Sequence, residues 1–192
     1  MSRMRREWRD LPSLEQARLL GRAGPAIGVR VGVAPDGEVL VASNHNLEGY
    51  WQNPEETARA QQDNVFHTGD GGAITDGYLT IQDRKKDVIV SGGENVSSIE
   101  VEDVLASHPA VREAAVIGIP DEQWGELVTA LVVAQAEVSA SELMAYCRER
   151  LAGYKTPKRI EFRTELARTT TGKLQKFKLR QDFWGDRERQ VN

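Results

Sequence analysis

The segment DRKKDVIVSGGENVSSIEVEDVL, residues 83–105, carries the sharpest change of pattern in the chain. A charged run, Asp83-Arg84-Lys85-Lys86-Asp87, gives way to a short apolar strand, Val88-Ile89-Val90, and then to the turn Ser91-Gly92-Gly93. Ser97 followed by Glu100 makes a capping box, and Val101, Val104 and Leu105 set an apolar stripe at helical spacing, so a helix is expected over about 98–107. A charged run leading directly into strand, turn and amphipathic helix reads as the start of a new folding unit.

Working outward from there, Val111–Ile119 and Leu127–Ala136 are the two strongest strand candidates. Ser139 with Glu142 opens a further helix bearing Leu143, Met144, Cys147 and Leu151 on one side, with Gly153 as its expected end. A last strand at about 159–163, a polar loop through Thr169-Thr170-Thr171-Gly172 and a short helix from Lys176 complete the pattern. Strand, helix, strand, strand, helix, strand predicts an α+β fold without internal repeats.

Upstream, Val29, Val31 and Val33, then Asp36-Gly37, then Val39 and Val41 alternate about a turn and predict a β-hairpin. Asn53-Pro54-Glu55-Glu56 supplies an N-cap, a proline at the first helical position and a glutamate at the third, so a helix should run to about Gln62. Gly69, Gly71, Gly72 and Gly77 are expected to break the following chain into turns before a strand at Tyr78–Ile81. Residues 1–24 are highly charged and predict only partial order around a short helix through Leu14, Ala17, Leu19 and Leu20.

With 192 residues and 40% hydrophobic content, the chain can form one ordinary domain, or a small domain plus part of another. Its formal charge is −4, yet residues 155–180 hold nine Lys/Arg against Glu161 and Glu165, a local net of +7. Such a stretch suits an anionic ligand such as a nucleotide or CoA, a nucleic acid, or simply a solvated face. A nucleic-acid surface is disfavoured because aromatic residues are not interleaved with the cations. The single Cys147 forms no internal disulfide, and neither a signal peptide nor an apolar run of membrane-spanning length is present, which predicts a cytoplasmic setting. The three histidines show no metal-ligand spacing, so no metal site is expected.

Several short motifs carry chemistry with a plainer reading beside each. Thr169 to Leu174 looks like a phosphate-binding loop but fails the template, with Ala167 at the first glycine position and Leu174 at the hydroxyl position. Its Gly172-Lys173 is either an exposed turn or a mobile loop that brings one cation to an anionic reaction centre. Asp70 and Arg84 are either a turn cap and a surface cation, or a carboxylate for ribose hydroxyls with a guanidinium for phosphate or ribose oxygens. Gly92-Gly93 permits a plain turn or the close approach of a ligand to backbone. Trp124 is either a packed aromatic or a stacking platform.

In order along the chain, GEV (37–39), GYWQNPEETA (49–58), FHTGD (66–70), DGYLTIQDRKKDVIVSGGENVSSIEVEDVL (76–105), HPAVREAAVIGIPDEQWGE (108–126), YKTPK (154–158) and TTTGKLQKFKLR (169–180) resemble the adenylate-forming superfamily. That superfamily includes acyl-CoA synthetases, peptide-synthetase adenylation domains and luciferases. The likeness runs from about Gly28 to Arg180 and looks closest to ligases for short- or medium-chain fatty acids. It implies that an acid and ATP form an acyl-adenylate and pyrophosphate, after which CoA displaces AMP. It also implies a small mobile C-terminal domain, a hairpin plus a three-stranded sheet flanked by helices, that swings about a hinge.

Position by position, the resemblance makes Asp70 the ribose ligand, Arg84 a nucleotide contact, Lys86 the hinge and Lys173 the catalytic lysine of adenylation. Gly92 and Gly93 would line the route of the CoA thiol, with Trp124, Tyr154 and Lys158 around the CoA nucleotide. ATP or AMP with Mg²⁺ would be held mainly by a large N-terminal domain whose phosphate loop, acyl pocket and adenine segment are not among these residues. The chain is thus expected to enter the family pattern at GRAGPAIGVRV (21–31). The expected divisions are a partly ordered lead-in at 1–27, the last β-rich subdomain of the large domain at 28–83, the hinge at 84–86, the mobile domain at 87–182 and a tail at 183–192. Ala167 departs from a frequent proline, and the Thr75-Asp76-Gly77 turn is shorter than usual. The partners expected are a carboxylic acid, CoA, and either the missing N-terminal half or a second copy. The alternative is a non-catalytic module that binds CoA or a protein partner.

Overall fold

The computed structural model describes residues 4–25 and 28–185. Most of the expected tail at 183–192, and parts of the expected lead-in at 1–27, lie outside the described residues. The chain forms two compact units that meet at Lys85 and Lys86.

In the first unit, β1 (Arg30–Val33) and β2 (Glu38–Ala42) form the expected antiparallel hairpin, with Val31 opposite Val41 and Val33 opposite Val39. After α1 (Ser13–Leu20), the second helix α2 (Pro54–Ala60) starts as its sequence dictates, the Asn53 side chain accepting the Glu56 amide at 3.1 Å. It ends before Gln62, because Gln61–Gln62 form β3 and pair with Phe66 and Val65. The lead-in joins this unit through Trp8, which is buried and packs its ring 5.8 Å from that of Tyr78.

The glycine-rich stretch differs from expectation. Instead of a series of turns, β4 runs unbroken from Val65 to Thr75 and pairs with β2, β3 and β5 (Tyr78–Arg84). Gly72 is there for space. A β-carbon on it would lie 2.7 Å from both the Thr80 carbonyl oxygen and Val39 Cγ2. Only Asp76-Gly77 is a true turn; both residues have positive φ and close a two-residue hairpin between Thr75 and Tyr78.

The second unit is built on β8 (Val111–Asp121) and β9 (Gly125–Ala134), paired antiparallel along their whole length. With β8 on one edge of β9, the other edge takes β10 (Arg159–Phe162) in parallel and β6 (Ile89–Ser91) at its start, where Ser91 opposes Gly125. Strand β7 (Glu94–Val96) completes the short hairpin with β6. This is the expected hairpin plus three-stranded sheet.

Side chains alternate to opposite faces with a period of two residues. Val116, Val128, Ala130 and Val132 meet Val101 and Leu105 of α3 (Ser98–Ala106) and Leu143 and Cys147 of α4 (Ala140–Arg148). Ala115, Ile117, Ile119, Leu131 and Val133 pack with Leu166 and with Leu179 of α5 (Lys176–Trp184). Helix α4 stops at Arg148 rather than at Gly153, the Arg150 and Leu151 amides turning back onto the Cys147 carbonyl. Burial pushes the Cys147 thiol up to about 11, consistent with a packed rather than a reactive cysteine.

Leu131 is fully buried on the α5 face. Its truncation, Leu131→Ala, should lower unfolding free energy by roughly 2–5 kcal/mol, read as a reduced denaturation midpoint. A loss below about 0.5 kcal/mol, the range of an ordinary surface substitution, would contradict this packing.

Candidate functional site

Two clusters in the second unit and one in the first gather the residues singled out by sequence. In the first unit, the β4–β5 register sets Asp70 directly opposite Arg84, and their side chains pair at 3.4 Å. The backbone leading to Asp70 is held by Glu38, which is only 8% exposed. The Glu38 carboxylate accepts the Gly69 amide at 2.9 Å, faces His67 Nδ1 at 3.3 Å and receives Lys85 Nζ at 3.4 Å. Burial alone would raise the Glu38 carboxyl, but the Gly69 amide, His67 and Lys85 hold it below its ordinary value. Lys85 also pairs with Asp36 at 2.7 Å, chiefly through which its own pKa is raised. Sequence reasoning missed Glu38 and Lys85, whose partners lie 47 residues apart in the chain and meet only through the sheet.

The Gly92-Gly93 turn joins β6 to β7 with both residues at positive φ, +61° and +83°. The Gly92 amide donates to the Trp124 carbonyl at 2.8 Å, and the Trp124 and Gln123 amides both donate to Asp121 Oδ1 at 2.9 Å. Lys158 places its ammonium 4.6 Å from the centre of the Trp124 ring. The structure therefore brings Gly92, Trp124 and Lys158 together. Trp124 is half-buried between the Gly92 turn and the Lys158 ammonium. Tyr154 is exposed, and its ring lies 5.8 Å from Lys155 Nζ, which itself pairs with Glu100 at 2.6 Å.

Lys173 sits elsewhere. Its loop, read from sequence as either an exposed turn or a mobile loop, is a closed hairpin with a bridge between Arg168 and Leu174. The Thr169 amide donates to the Lys173 carbonyl at 2.8 Å, and the Lys173 amide donates to Thr169 Oγ1 at 3.0 Å. Arg168 ties the hairpin to Glu113 near the start of β8, at 2.8 Å, whereas Asp121 and the Trp124 turn lie at the end of that strand. Glu113 and Asp121 are eight positions apart on β8, roughly 27 Å along the strand, so the two clusters sit toward opposite ends of one sheet.

Lys86 lies at the first position of the second unit. Its carbonyl accepts from Arg180 Nη1 at 3.3 Å, while Arg180 Nη2 pairs with Asp87 at 2.5 Å. The basic stretch is largely consumed by such pairs: Lys155 with Glu100, Arg159 and Arg163 with Glu161, Arg168 with Glu113, Lys176 with Glu102, and Arg180 with Asp87. Among the described residues, Lys173 has no ion-pair partner, and no group of three His, Cys, Asp or Glu side chains could hold a metal ion.

Residues 100–173 match the family described as the AMP-binding enzyme C-terminal domain. The chain is 45% identical over 199 aligned residues to a probable CoA ligase, CCL11, of Humulus lupulus, covering 92% of this chain and 35% of that protein. It is 49% identical over 150 residues to the long-chain-fatty-acid–CoA ligase FadD13 of Mycobacterium tuberculosis, covering 77% and 30%. Among solved structures, o-succinylbenzoate CoA synthetase from Bacillus subtilis, in complex with its acyl-adenylate intermediate, superposes with a TM-score of 0.80 at 36% identity, over 88% of this chain and 37% of that one. The chain thus spans about a third of the length of the curated relatives it matches. It carries the C-terminal domain of the AMP-binding enzymes. Its likeness to the adenylate-forming superfamily rests on that domain and on these relatives, and the curated relatives named here are CoA ligases.

The glycine turn offers a comparison of two neighbours. A β-carbon at Gly92 would come within 2.8 Å of Trp124 Cε3, while one at Gly93 would meet nothing within 4 Å. Both alanine variants incur the positive-φ cost of about 1–2 kcal/mol, but Gly92→Ala must also displace the indole. Gly92→Ala should therefore lose more stability and shift the Trp124 fluorescence, and Gly93→Ala should not shift it. Identical behaviour in equilibrium denaturation and emission spectra would contradict the contact.

Proposed function

We propose that the chain is the C-terminal part of an ATP-dependent acid–CoA ligase with a fatty acid as its acid substrate. The reaction is acid plus ATP plus CoA to acyl-CoA, AMP and pyrophosphate by way of an acyl-adenylate. The observation that carries this reading is the placement of a cation-bearing hairpin and a glycine turn with Trp124 and Lys158 at opposite ends of one rigid sheet.

In adenylation, the carboxylate oxygen of the acid attacks the α-phosphorus of ATP and pyrophosphate leaves. Lys173 would stabilise the negative charge shared between carboxylate and α-phosphate, a role suited to a point cation. Asp70 would accept the ribose hydroxyls, with Arg84 beside it toward the nucleotide. Mg²⁺ would enter with the triphosphate, and no residue of this chain is assigned to it. In the second step the CoA sulfur attacks the acyl carbon, the bond to AMP breaks and the thiol proton is released. Gly92 and Gly93 would leave the thiol's route open, and Trp124, Tyr154 and Lys158 would lie around the CoA nucleotide.

Residues 28–83 would belong to the large substrate-binding domain, 84–86 to the hinge and 87–182 to the mobile domain. Support for the hinge comes from neighbouring residues whose anchors lie in different units, Lys85 on Asp36 and Glu38 and the Lys86 carbonyl on Arg180. In the first unit, Trp51 is 89% exposed, and Val33, Ile74 and Ile81 are exposed as well. That apolar surface favours coverage by the large domain or by a second copy. No helix among the described residues is long and apolar enough to cross a membrane; a cytoplasmic setting remains part of this proposal.

The test separates the half-reactions in the complete ligase. Lys173→Ala should abolish acid-dependent ATP–pyrophosphate exchange and spare thioester formation from supplied acyl-adenylate. Gly93→Leu should do the reverse, with adenylate accumulating while CoA consumption stops. Normal exchange in Lys173→Ala would overturn its assignment, and loss of both steps in a folded Gly93→Leu would reduce the glycine to a structural turn. Lys86→Pro fixes φ at the link and should slow one half-reaction far more than the other; small, equal effects on both would place the pivot elsewhere.

A further inference from the structure

Taking Lys173 as the cation of adenylation, what aims it becomes a question about its hairpin. Four bonds close the hairpin on itself: Thr169 N–H to the Lys173 carbonyl, Gly172 N–H to the Thr169 carbonyl, Lys173 N–H to Thr169 Oγ1 and Gln175 N–H to the Ala167 carbonyl, all between 2.8 and 3.0 Å. They fix its shape. Its base is seated by Leu166, Ala167 and Leu174 on the α5 side of the sheet. The tip is tied to the sheet by Arg168, whose Nη2 and Nε reach Glu113 Oε2 at 2.8 and 3.3 Å and whose Nη1 reaches the Gly172 carbonyl at 2.7 Å.

The Gly172 carbonyl and the Lys173 amide belong to one peptide plane. One end of that plane is held by Arg168 and the other by Thr169 Oγ1. Because the plane is rigid, fixing both ends sets the direction in which the Lys173 side chain leaves the backbone. Glu113 in turn holds the guanidinium, with Arg112 Nε on its other oxygen at 3.5 Å. The Glu113 carboxyl is held below its ordinary value, chiefly by the hydrogen bond from Arg168.

We propose that Arg168 and Glu113 are a positioning pair for Lys173, an ion pair whose task is to hold the Gly172–Lys173 peptide in place for adenylation. The pair is partly exposed, with side chains 43% and 29% accessible, so its contribution to global stability is small. The geometric contribution is larger, since misplacing a reacting group by about 1 Å costs on the order of a hundredfold in rate. A lysine at 168 would keep the charge but could not bridge Glu113 and the Gly172 carbonyl together.

The experiment measures both half-reactions and the thermal midpoint of the complete ligase for Arg168→Ala, Arg168→Lys, Glu113→Ala, the double alanine variant and Lys173→Ala. Arg168→Ala should lower ATP–pyrophosphate exchange by about ten- to a hundredfold, with thioester formation from supplied acyl-adenylate and the thermal midpoint unchanged. Arg168→Lys should recover only part of the loss, and Glu113→Ala should lose less than Arg168→Ala. The double variant should be no worse than Arg168→Ala alone, the non-additivity of two groups acting as one device. Normal exchange in Arg168→Ala, strictly additive losses, or equal loss of both half-reactions would overturn the pair while leaving Lys173 in place. Normal exchange in Lys173→Ala would instead remove the reading on which the pair rests.

Discussion

The ladder between β8 and β9 is the constraint on which the second unit depends. Its residues pair without a gap from Glu113–Val133 to Asp121–Gly125, and both faces are covered by helices or the chain that leads to them. A two-faced ladder of this length must be apolar almost throughout, which the run from Ala114 to Ile119 and its partner from Leu127 to Val133 provide. Two carboxylates, Glu126 in β9 and Glu102 of α3 beside the ladder, are committed to it. Glu126 accepts the Val90 amide at 2.9 Å and so ties β6 to the ladder, and Glu102 accepts the Val116 amide at 2.7 Å while pairing with Lys176. Neither carboxylate is left without compensation in the core, which is the condition for burying a charge at all.

The electrostatics of residues 155–180 follow from that frame. Read as a linear string, nine cations and two anions look like a binding surface. In three dimensions six of these nine cations face acidic groups, four supplied by α3, β8 and the start of the unit and two held by Glu161 within the stretch. Lys158, Lys173 and Lys178 are the cations of this stretch without an ion-pair partner among the described residues, and Lys158 lies over the Trp124 ring; a cation already neutralised by a carboxylate offers little to an anionic substrate. The exposed pairs add at most about 1 kcal/mol each, whereas Lys176–Glu102 and Arg180–Asp87 are largely buried; together they hold α5 and the Lys173 hairpin in fixed places on the sheet.

The parts of this fold that were legible in the sequence are those determined locally. Asn53, Ser97 and Ser139 cap their helices as their spacing to Glu56, Glu100 and Glu142 requires, and the alternation of valines around Asp36-Gly37 gives the first hairpin. Gly71 and Gly72 misled because glycine serves both turns and close packing, and only the neighbouring strands decide which, while Gly69 takes a positive φ of +70° without ending the strand. For the candidate site, the likeness to a family singled out Asp70, Arg84, Lys86 and Lys173, but the groups that hold them are distant in the chain. Arg168 and Glu113 are 55 residues apart, and Arg180 and Asp87 are 93 apart. No periodicity signals such pairs, which exist only once the topology has formed.

A rigid sheet with reactive groups at both ends imposes a further condition if one enzyme uses both. Ends separated by roughly 27 Å cannot serve a single reaction centre by bending, because a packed ladder stores little compliance. The whole unit must turn, and the rotation has to be absorbed by a few backbone dihedrals in the link. Lys85 is held in the first unit by Asp36 and Glu38, and Asp87 is held in the second by Arg180, so a rotation centred on either would have to break a charge-assisted contact. Dihedrals between those two anchors can change without breaking either ion pair, at the cost of the contact from Arg180 Nη1 to the Lys86 carbonyl. In the proposed function, two anchors at its sides favour Lys86 as the place of the swing, and the residue type there would matter less than the freedom of its backbone.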